Sequence, residues 1–90
     1  MASFPRIVQI LDVSPYLITC LFDNGEKRCV DFSDYLFSNS SHRLVSPLLS
    51  KAYFMNVSID EVGGLVWPNG FDCSARKIYY WEEESVPYRR

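Results

Sequence analysis

The 90-residue chain holds few side chains whose types could do chemistry together. It has three cysteines, Cys20, Cys29 and Cys73, and a single histidine, His42. Their spacings match no metal-binding motif, so a metal site would need the fold to bring them together. His42 lies in a polar segment, and no nucleophile or orienting partner is placed beside it by motif. We therefore expect a protein that is not an enzyme, with no catalytic residues, no metal and no cofactor.

Three aspartates, Asp31, Asp60 and Asp72, stand next to the ends of apolar runs. Paired carboxylates can perform acid–base chemistry, but aspartates at strand ends more often form turns and caps, and we favour that interpretation. The one glycine pair, Gly63-Gly64, lacks the flanking pattern of a phosphate-binding loop. It predicts a tight connection between two strands.

Composition predicts one soluble globular domain, because 48% of the residues are hydrophobic and 22% are charged. The formal net charge of −2 argues against nucleic-acid binding, which depends on cationic side chains; a basic tail at Arg89-Arg90 is the alternative. No apolar run is long enough for a membrane span. Because the first residues lack the pattern of a secretion signal, we expect a cytoplasmic protein with reduced thiols.

The first elements that must position these side chains are three strands, predicted over 5–13, 16–22 and 27–32. Asn24-Gly25 predicts a two-residue type I′ turn between the second and third strands. In that register Cys20 lies opposite Cys29. The two thiols are then either small packed side chains or a redox-sensitive, strained disulfide.

The predicted register makes both faces of this hairpin mostly apolar. One face carries Ile18, Cys20, Phe22 and Cys29, and the other carries Leu17, Thr19, Leu21, Val30 and Phe32. A sheet with one face in water alternates more cleanly between apolar and polar residues. We therefore expect a helix, a terminal segment or another chain to cover the second face, which makes Leu17, Leu21 and Phe32 candidate interaction residues.

The second half of the chain predicts short elements. Ser33 is a candidate cap for one helical turn, and Ser46-Pro47 predicts a short helix over 47–53. Alternation over 54–60 predicts a strand, whose partner is expected at 65–67. A final short helix is predicted to follow a cap at Ser74.

The run Trp67-Pro68-Asn69-Gly70 predicts a type I turn, with proline at its second position and glycine at its fourth. Trp67 and Phe71 flank this turn. They are either core residues or the rim of an aromatic groove beside the turn, which would suit a peptide or protein and makes Trp67, Asn69 and Phe71 candidate interaction residues. The fold predicted for residues 1–81 is a single α+β domain with one antiparallel sheet of about five strands, formed by two hairpins, and two short helices. Residues 82–90 are predicted to form a flexible tail.

Two stretches of the chain resemble a known family. The first runs from Pro5-Arg6-Ile7-Val8 through Phe22-Asp23-Asn24-Gly25-Glu26 to Val30-Asp31-Phe32. The second runs from Tyr53-Phe54 and Val57-Ser58-Ile59-Asp60 through Gly64–Asp72 to Ile78-Tyr79. Together they are similar to the small bacterial domain of unknown function 2442 over roughly residues 4–80. Cys73, Ser74-Ala75 and the long loop at 38–42 depart from the family pattern.

The resemblance implies a compact α+β domain in the bacterial cytoplasm and carries over no catalytic residues. It also implies a place in small operons whose arrangement suggests toxin–antitoxin pairs. We expect a non-enzymatic protein-interaction module, antitoxin-like or regulatory, whose partner is another small protein or a second copy of itself. The alternative is a small-molecule-binding domain or minor enzyme that uses the turn from Trp67 to Asp72.

Overall fold

The computed structural model describes residues 5–81, and the predicted tail at 82–90 lies outside them. The α+β class is confirmed. The strands are β1 (Ile7–Ser14), β2 (Leu17–Phe22), β3 (Lys27–Asp31), β4 (Ser58–Ile59), β5 (Leu65–Val66) and β6 (Asp72–Cys73). The helices are α1 (Ser33–Ser38), a 3₁₀ helix (Ser46–Leu49), α2 (Lys51–Phe54) and α3 (Ala75–Tyr79).

The first sheet is antiparallel, with the strand order β1-β2-β3. In the pairing of β2 with β3, Cys20 lies opposite Arg28, so the predicted pairing of Cys20 with Cys29 is wrong by one residue. A shift of one residue turns a strand over. Cys29 is therefore exposed on the outer face, whereas Val30 lies opposite Ile18 in the core.

The turn between β2 and β3 explains this shift. The amide of Gly25 donates to the carbonyl of Phe22 over 2.9 Å, and the amide of Phe22 donates to the carbonyl of Glu26 over 2.8 Å. Among the described residues only glycines have positive φ, so Asn24 cannot take its place in a type I′ turn. Instead its side chain accepts the amide of Glu26 at 3.0 Å, which stabilises a three-residue loop closed by Gly25 at φ 90°.

Strands β4, β5 and β6 form a second antiparallel sheet in that order. The described chain thus has two sheets of three strands each, and the prediction of one sheet of about five strands is wrong. The pairing of β1 with β2 is irregular between Ile7 and Gln9 and between Ile10 and Asp12, and such bulges disrupt the ladder. The sheets meet where the amide of Ile7 donates to the carbonyl of Gly63 over 2.9 Å.

The helix predicted over 47–53 is divided into the 3₁₀ helix and α2, so the prediction of two helices is also incomplete. Ser50 is extended between the two pieces, with ψ 123°. Its side chain accepts the amide of Tyr53 at 3.4 Å and caps α2. The strand predicted from residue 54 begins only at Ser58, because Phe54 completes α2.

The N-terminal caps of α3 and α1 are formed by different kinds of residue. α3 begins as predicted, since the hydroxyl of Ser74 accepts the amide of Lys77 at 3.1 Å. At the start of α1 it is Asp31 that acts, because its carboxylate accepts both the amide and the hydroxyl of Ser33 at 2.9 and 2.6 Å. The predicted role of Ser33 as the cap is therefore corrected.

One core lies between the inner face of the first sheet, the helices and the second sheet. Its buried side chains are Ile7, Ile18, Cys20, Phe22, Val30, Phe32, Leu36, Val45, Leu48, Phe54, Leu65, Trp67, Cys73, Ala75 and Ile78. Every element except β4 contributes at least one buried side chain. The outer face of the first sheet stays largely accessible.

Candidate functional site

A groove of about 460 Å³ lies between β3 and α3. It is lined by Lys27–Asp31, which is the whole of β3, and by residues 78–81 at the end of α3. α3 packs on the inner face of the sheet, since Ile78 is buried and the ring of Tyr79 meets that of Phe22 edge-on at 5.2 Å. The helix therefore covers the face of the sheet but leaves the edge of β3 along the groove.

The strand order makes β3 an edge of the described sheet. Just outside its two ends, the carbonyl of Glu26 accepts the amide of Phe22 in β2, and the amide of Phe32 donates to the carbonyl of Tyr16 just before β2, each over 2.8 Å. Because bonding alternates along an antiparallel strand, Arg28 and Val30 also direct their backbone groups to β2. The residues between them direct their backbone N–H and C=O groups outward: Lys27, Cys29 and Asp31.

The two edges of this sheet differ in their suitability for pairing with another strand. β1 carries the irregularities described above, and its first amide is used by Gly63. Bulges of this kind protect an edge against pairing. β3, in contrast, keeps an unbroken register with β2 over its five residues. Its outward backbone groups therefore form a regular template for one more strand.

A polar cluster fixes one end of the groove. The carboxylate of Glu26 accepts the hydroxyl of Tyr79 at 3.0 Å and a guanidinium N–H of Arg28 at 2.7 Å. The guanidinium carbon of Arg28 also lies 4.3 Å from the centre of the Tyr79 ring. These bonds, that of Tyr79 first and that of Arg28 second, lower the pKa of Glu26. The cluster is exposed and adds little stability, but it orients two groove side chains.

Two of the predicted interaction residues, Trp67 and Phe32, belong to the core. Trp67 is 2% exposed and its indole N–H donates to the carbonyl of Phe54 at 3.0 Å. Phe32 is fully buried, and its ring lies 5.8 Å from that of Trp67. Of the two interpretations of Trp67, the structure shows the core one. Neither side chain is part of the accessible surface, because the inner face of the sheet and α2 enclose them.

The remaining predicted residues lie in two separate places. Asn69 is half-buried, and its amide group donates to the carbonyl of Leu44 at 3.0 Å and accepts the amide of Phe71 at 3.1 Å. Phe71 is half-buried beside Trp67. On the outer face of the first sheet, Leu17 is 42% exposed and Leu21 is half-buried. Binding by these side chains stays a prediction.

The three cysteines are free thiols and differ widely in solvent accessibility. Cys20 and Cys73 are buried, whereas Cys29 is exposed on the groove. Cys20 faces the core and Cys29 the opposite side of the sheet, so the predicted alternative of a disulfide between them is wrong. Burial raises the pKa of both Cys20 and Cys73 to about 12.

Only Cys29 should react quickly with Ellman's reagent in the folded protein at pH 8. Cys20 and Cys73 should react at least about 100-fold more slowly, because burial blocks access and keeps them protonated. Mass spectrometry of alkylated peptides would identify the modified residue. The Cys29→Ser variant serves as the control and should show no fast phase. Equal rates at two or three thiols would contradict this placement.

The other candidate chemical side chains serve local structure. Asp31 caps α1, and the carboxylate of Asp60 accepts the amides of Val62 and Gly64 at 3.0 and 2.9 Å. This confirms the turn-and-cap interpretation for both. The imidazole Nδ1 of His42 accepts the amide of Leu44 at 3.2 Å in an exposed loop. Across residues 5–81, no three histidine, cysteine or acidic side chains converge to hold a metal ion.

The edge of β3 is the feature that sequence reasoning missed. A signal was present, since Lys27 and Asp31 place opposite charges at the two ends of a short strand, and charged side chains are common on exposed edges. The signal could not be used, because the shifted register and the strand order are needed to place these residues on an outward edge.

Two three-stranded sheets, short helices and, within residues 5–81, an edge of β3 that pairs with no further strand define a small α+β domain. The family model for a protein of unknown function (DUF2442) matches residues 8–84. The chain belongs to this family, which confirms the resemblance drawn from its sequence. No curated protein and no solved structure matches the chain. Within residues 5–81, the helices are too short or too polar for any of them to cross a membrane.

Proposed function

We propose that this chain is a non-enzymatic protein-interaction module that binds an extended segment of a protein along β3. The observation that carries the proposal is the unbroken edge of β3 beside the groove. An added strand gains main-chain hydrogen bonds from the edge and specificity from the side chains that line it. β3 supplies the edge, and the end of α3 supplies aromatic walls.

The chemistry of the groove suits a protein segment. The groove is lined by the aromatic residues Tyr79, Tyr80 and Trp81 together with Lys27 and Arg28. Aromatic side chains and arginine carry much of the binding energy in protein interfaces. The backbone groups of β3 can form hydrogen bonds with any segment that adopts an extended conformation. The side chains that line the groove therefore determine which partners bind.

An antitoxin-like or regulatory role in a small operon is the specific form of this function that the resemblance implies. We propose that the partner in such a pair contributes the added strand. Coexpression with the product of the adjacent gene should give a complex that survives purification. The same complex should be lost when the edge of β3 is blocked. A tagged protein that stays alone and monomeric in coexpression would remove this role.

The edge is blocked by the substitution Cys29→Pro. Proline lacks the N–H that Cys29 directs outward, and edge strands tolerate proline where that group faces solvent. Displayed random twelve-residue peptides are selected in parallel on the wild-type protein and on this variant, with circular dichroism as the check on folding. We expect enriched peptides that bind the wild-type protein and not the variant.

A matched control is Leu17→Ser, which changes an exposed side chain on the outer face and leaves the edge intact. Peptides that use β3 should bind this variant as they bind the wild-type protein. Peptides that bind Cys29→Pro equally well, or a selection without enrichment, would overturn the proposal. The polar groups of Trp67 and Asn69 are engaged within the fold, so the turn at 67–72 is less suited to binding a small molecule than the edge of β3 is to binding a peptide.

A further inference from the structure

We infer that one occupant of the edge is a second copy of β3, paired antiparallel about a two-fold axis at Cys29. This inference rests on the proposed function and names its partner. In an isologous pair the same surface is used on both copies and must be complementary to itself. The outward backbone groups of β3 and the order of its charges both satisfy this condition.

The backbone geometry sets the register of the pair. Residues with outward N–H and C=O groups form the hydrogen-bonded pairs of an antiparallel ladder. Centring the axis on Cys29 places Cys29 opposite the partner's Cys29. Lys27 then lies opposite the partner's Asp31, and all of these positions direct their backbone groups outward. An axis between two residues would instead place an outward-facing residue opposite one that already bonds to β2.

The side chains favour the same register. Lys27, Cys29 and Asp31 alternate with Arg28 and Val30, so they share the outer face of the sheet. Lys27 and Asp31 are exposed. In the pair each Lys27 faces the partner's Asp31, and opposite charges directly across two strands are favourable. The carboxylate of Asp31 stays ionised at neutral pH, because its bonds to Ser33 lower its pKa.

The same charges reject other registers and other strands. Sliding the two copies by two residues removes both cross-strand charge pairs and leaves every Lys27 and Asp31 without an opposite charge across the interface. Charged side chains on an exposed edge prevent pairing with arbitrary strands. A five-residue edge is small, so the dimer belongs to the weak, transient class of interfaces. We expect self-association over concentrations of about 10 µM to 1 mM.

Sedimentation velocity on the full chain tests the pair. Lys27→Glu turns both cross-strand attractions into repulsions and should raise the dimer Kd about tenfold or more. Lys51→Glu makes the same change in net charge at an exposed position of α2 and should leave the Kd unchanged. Equal behaviour of the two variants, or a wild-type protein that stays monomeric at 1 mM, would overturn the inference.

A mixing experiment tests whether Lys27 of one copy pairs with Asp31 of the other. Asp31→Lys alone should also weaken the homodimer, because each Lys27 then faces a lysine. An equimolar mixture of Lys27→Glu with Asp31→Lys should dimerise, since both of its charge pairs are again opposite in sign. Asp31 caps α1, so circular dichroism must show that the variant is folded. If the Asp31→Lys variant is unfolded, the comparison of Lys27→Glu with Lys51→Glu alone tests the dimer.

Cys29 gives a covalent readout of the register. Hydrogen-bonded cross-strand pairs have Cα atoms about 5.5 Å apart, which is within disulfide range. Added diamide takes the hydrogens of two Cys29 thiols, becomes the hydrazine, and leaves one disulfide between the copies. Covalent dimer should form in the wild-type protein, less in Lys27→Glu, and not in Cys29→Ser. A protein that gives no covalent dimer and stays monomeric, yet binds peptides through β3, would remove self-pairing and leave the proposed function standing.

Discussion

Replacing Trp67 with alanine should lower the free energy of unfolding by about 3–5 kcal/mol, the usual cost of deleting a large buried aromatic side chain. The ring of Trp67 lies within 5.8 Å of those of Phe32, Phe54 and Phe71, and only 2% of the residue is exposed. Domains of this size are stable by about 5–15 kcal/mol. The variant should therefore lose a large fraction of the domain's total stability.

Urea denaturation followed by circular dichroism measures this effect, and Trp81 remains as a fluorescent probe. Trp67→Phe separates the two parts of the cost. This variant keeps an aromatic ring but removes the indole N–H, so the carbonyl of Phe54 loses its hydrogen-bond partner. The free energy of unfolding should fall by about 1–3 kcal/mol. Phe37→Ala is the matched control, because Phe37 is 60% exposed. A loss for Trp67→Ala as small as that for Phe37→Ala would contradict the core described here.

Replacing Gly63 with alanine should destabilise the fold by about 3 kcal/mol, from backbone strain and overpacking together. Gly63 has φ 86°, and an added Cβ would stand 2.6 Å from the Cβ of Arg6. The carbonyl of Gly63 also accepts the amide of Ile7, the bond at which the two sheets meet. The substitution therefore forces apart the chain at Arg6, just before β1, and the loop before β5.

Gly70→Ala is the control for strain without crowding. Gly70 has φ 94°, but no heavy atom lies within 4 Å of its added Cβ. This variant should lose about 1 kcal/mol. Chemical denaturation of both variants in parallel measures the difference, which isolates the close contact with Arg6. Equal losses would mean that the approach of Gly63 to β1 is not maintained in solution.

The position of the first hairpin could be predicted from its sequence, but its register could not. Asn-Gly between apolar runs marks a turn, and that turn is present. Whether Asn24 takes positive φ depends on a small difference in free energy between the two-residue type I′ loop and the three-residue loop. At the second Asn-Gly, Pro68 fixes φ to a negative value, so the type I turn could be predicted there. Asp23 stands at the corresponding place in the first turn and imposes no such limit.

The division into two sheets and the helical position of Phe54 depend on packing rather than on local pattern. Alternation over 54–60 is typical of a strand, yet Phe54 completes α2 and lies against Trp67. The pairing of β1 with β2 is irregular at two points. Nothing in the β-branched sequence of β1 indicates these irregularities. The outward edge of β3 follows from strand order, and strand order is a property of the whole fold.

Backbone amide exchange across β3, read by NMR, tests the binding role most directly. In dilute protein the outward amides of Lys27, Cys29 and Asp31 should exchange freely, while those of Arg28 and Val30 are protected by β2. Saturation with a selected peptide should slow exchange at the three outward amides and leave the other two unchanged. A bound peptide that protects amides elsewhere, while those three continue to exchange freely, would contradict binding along this edge.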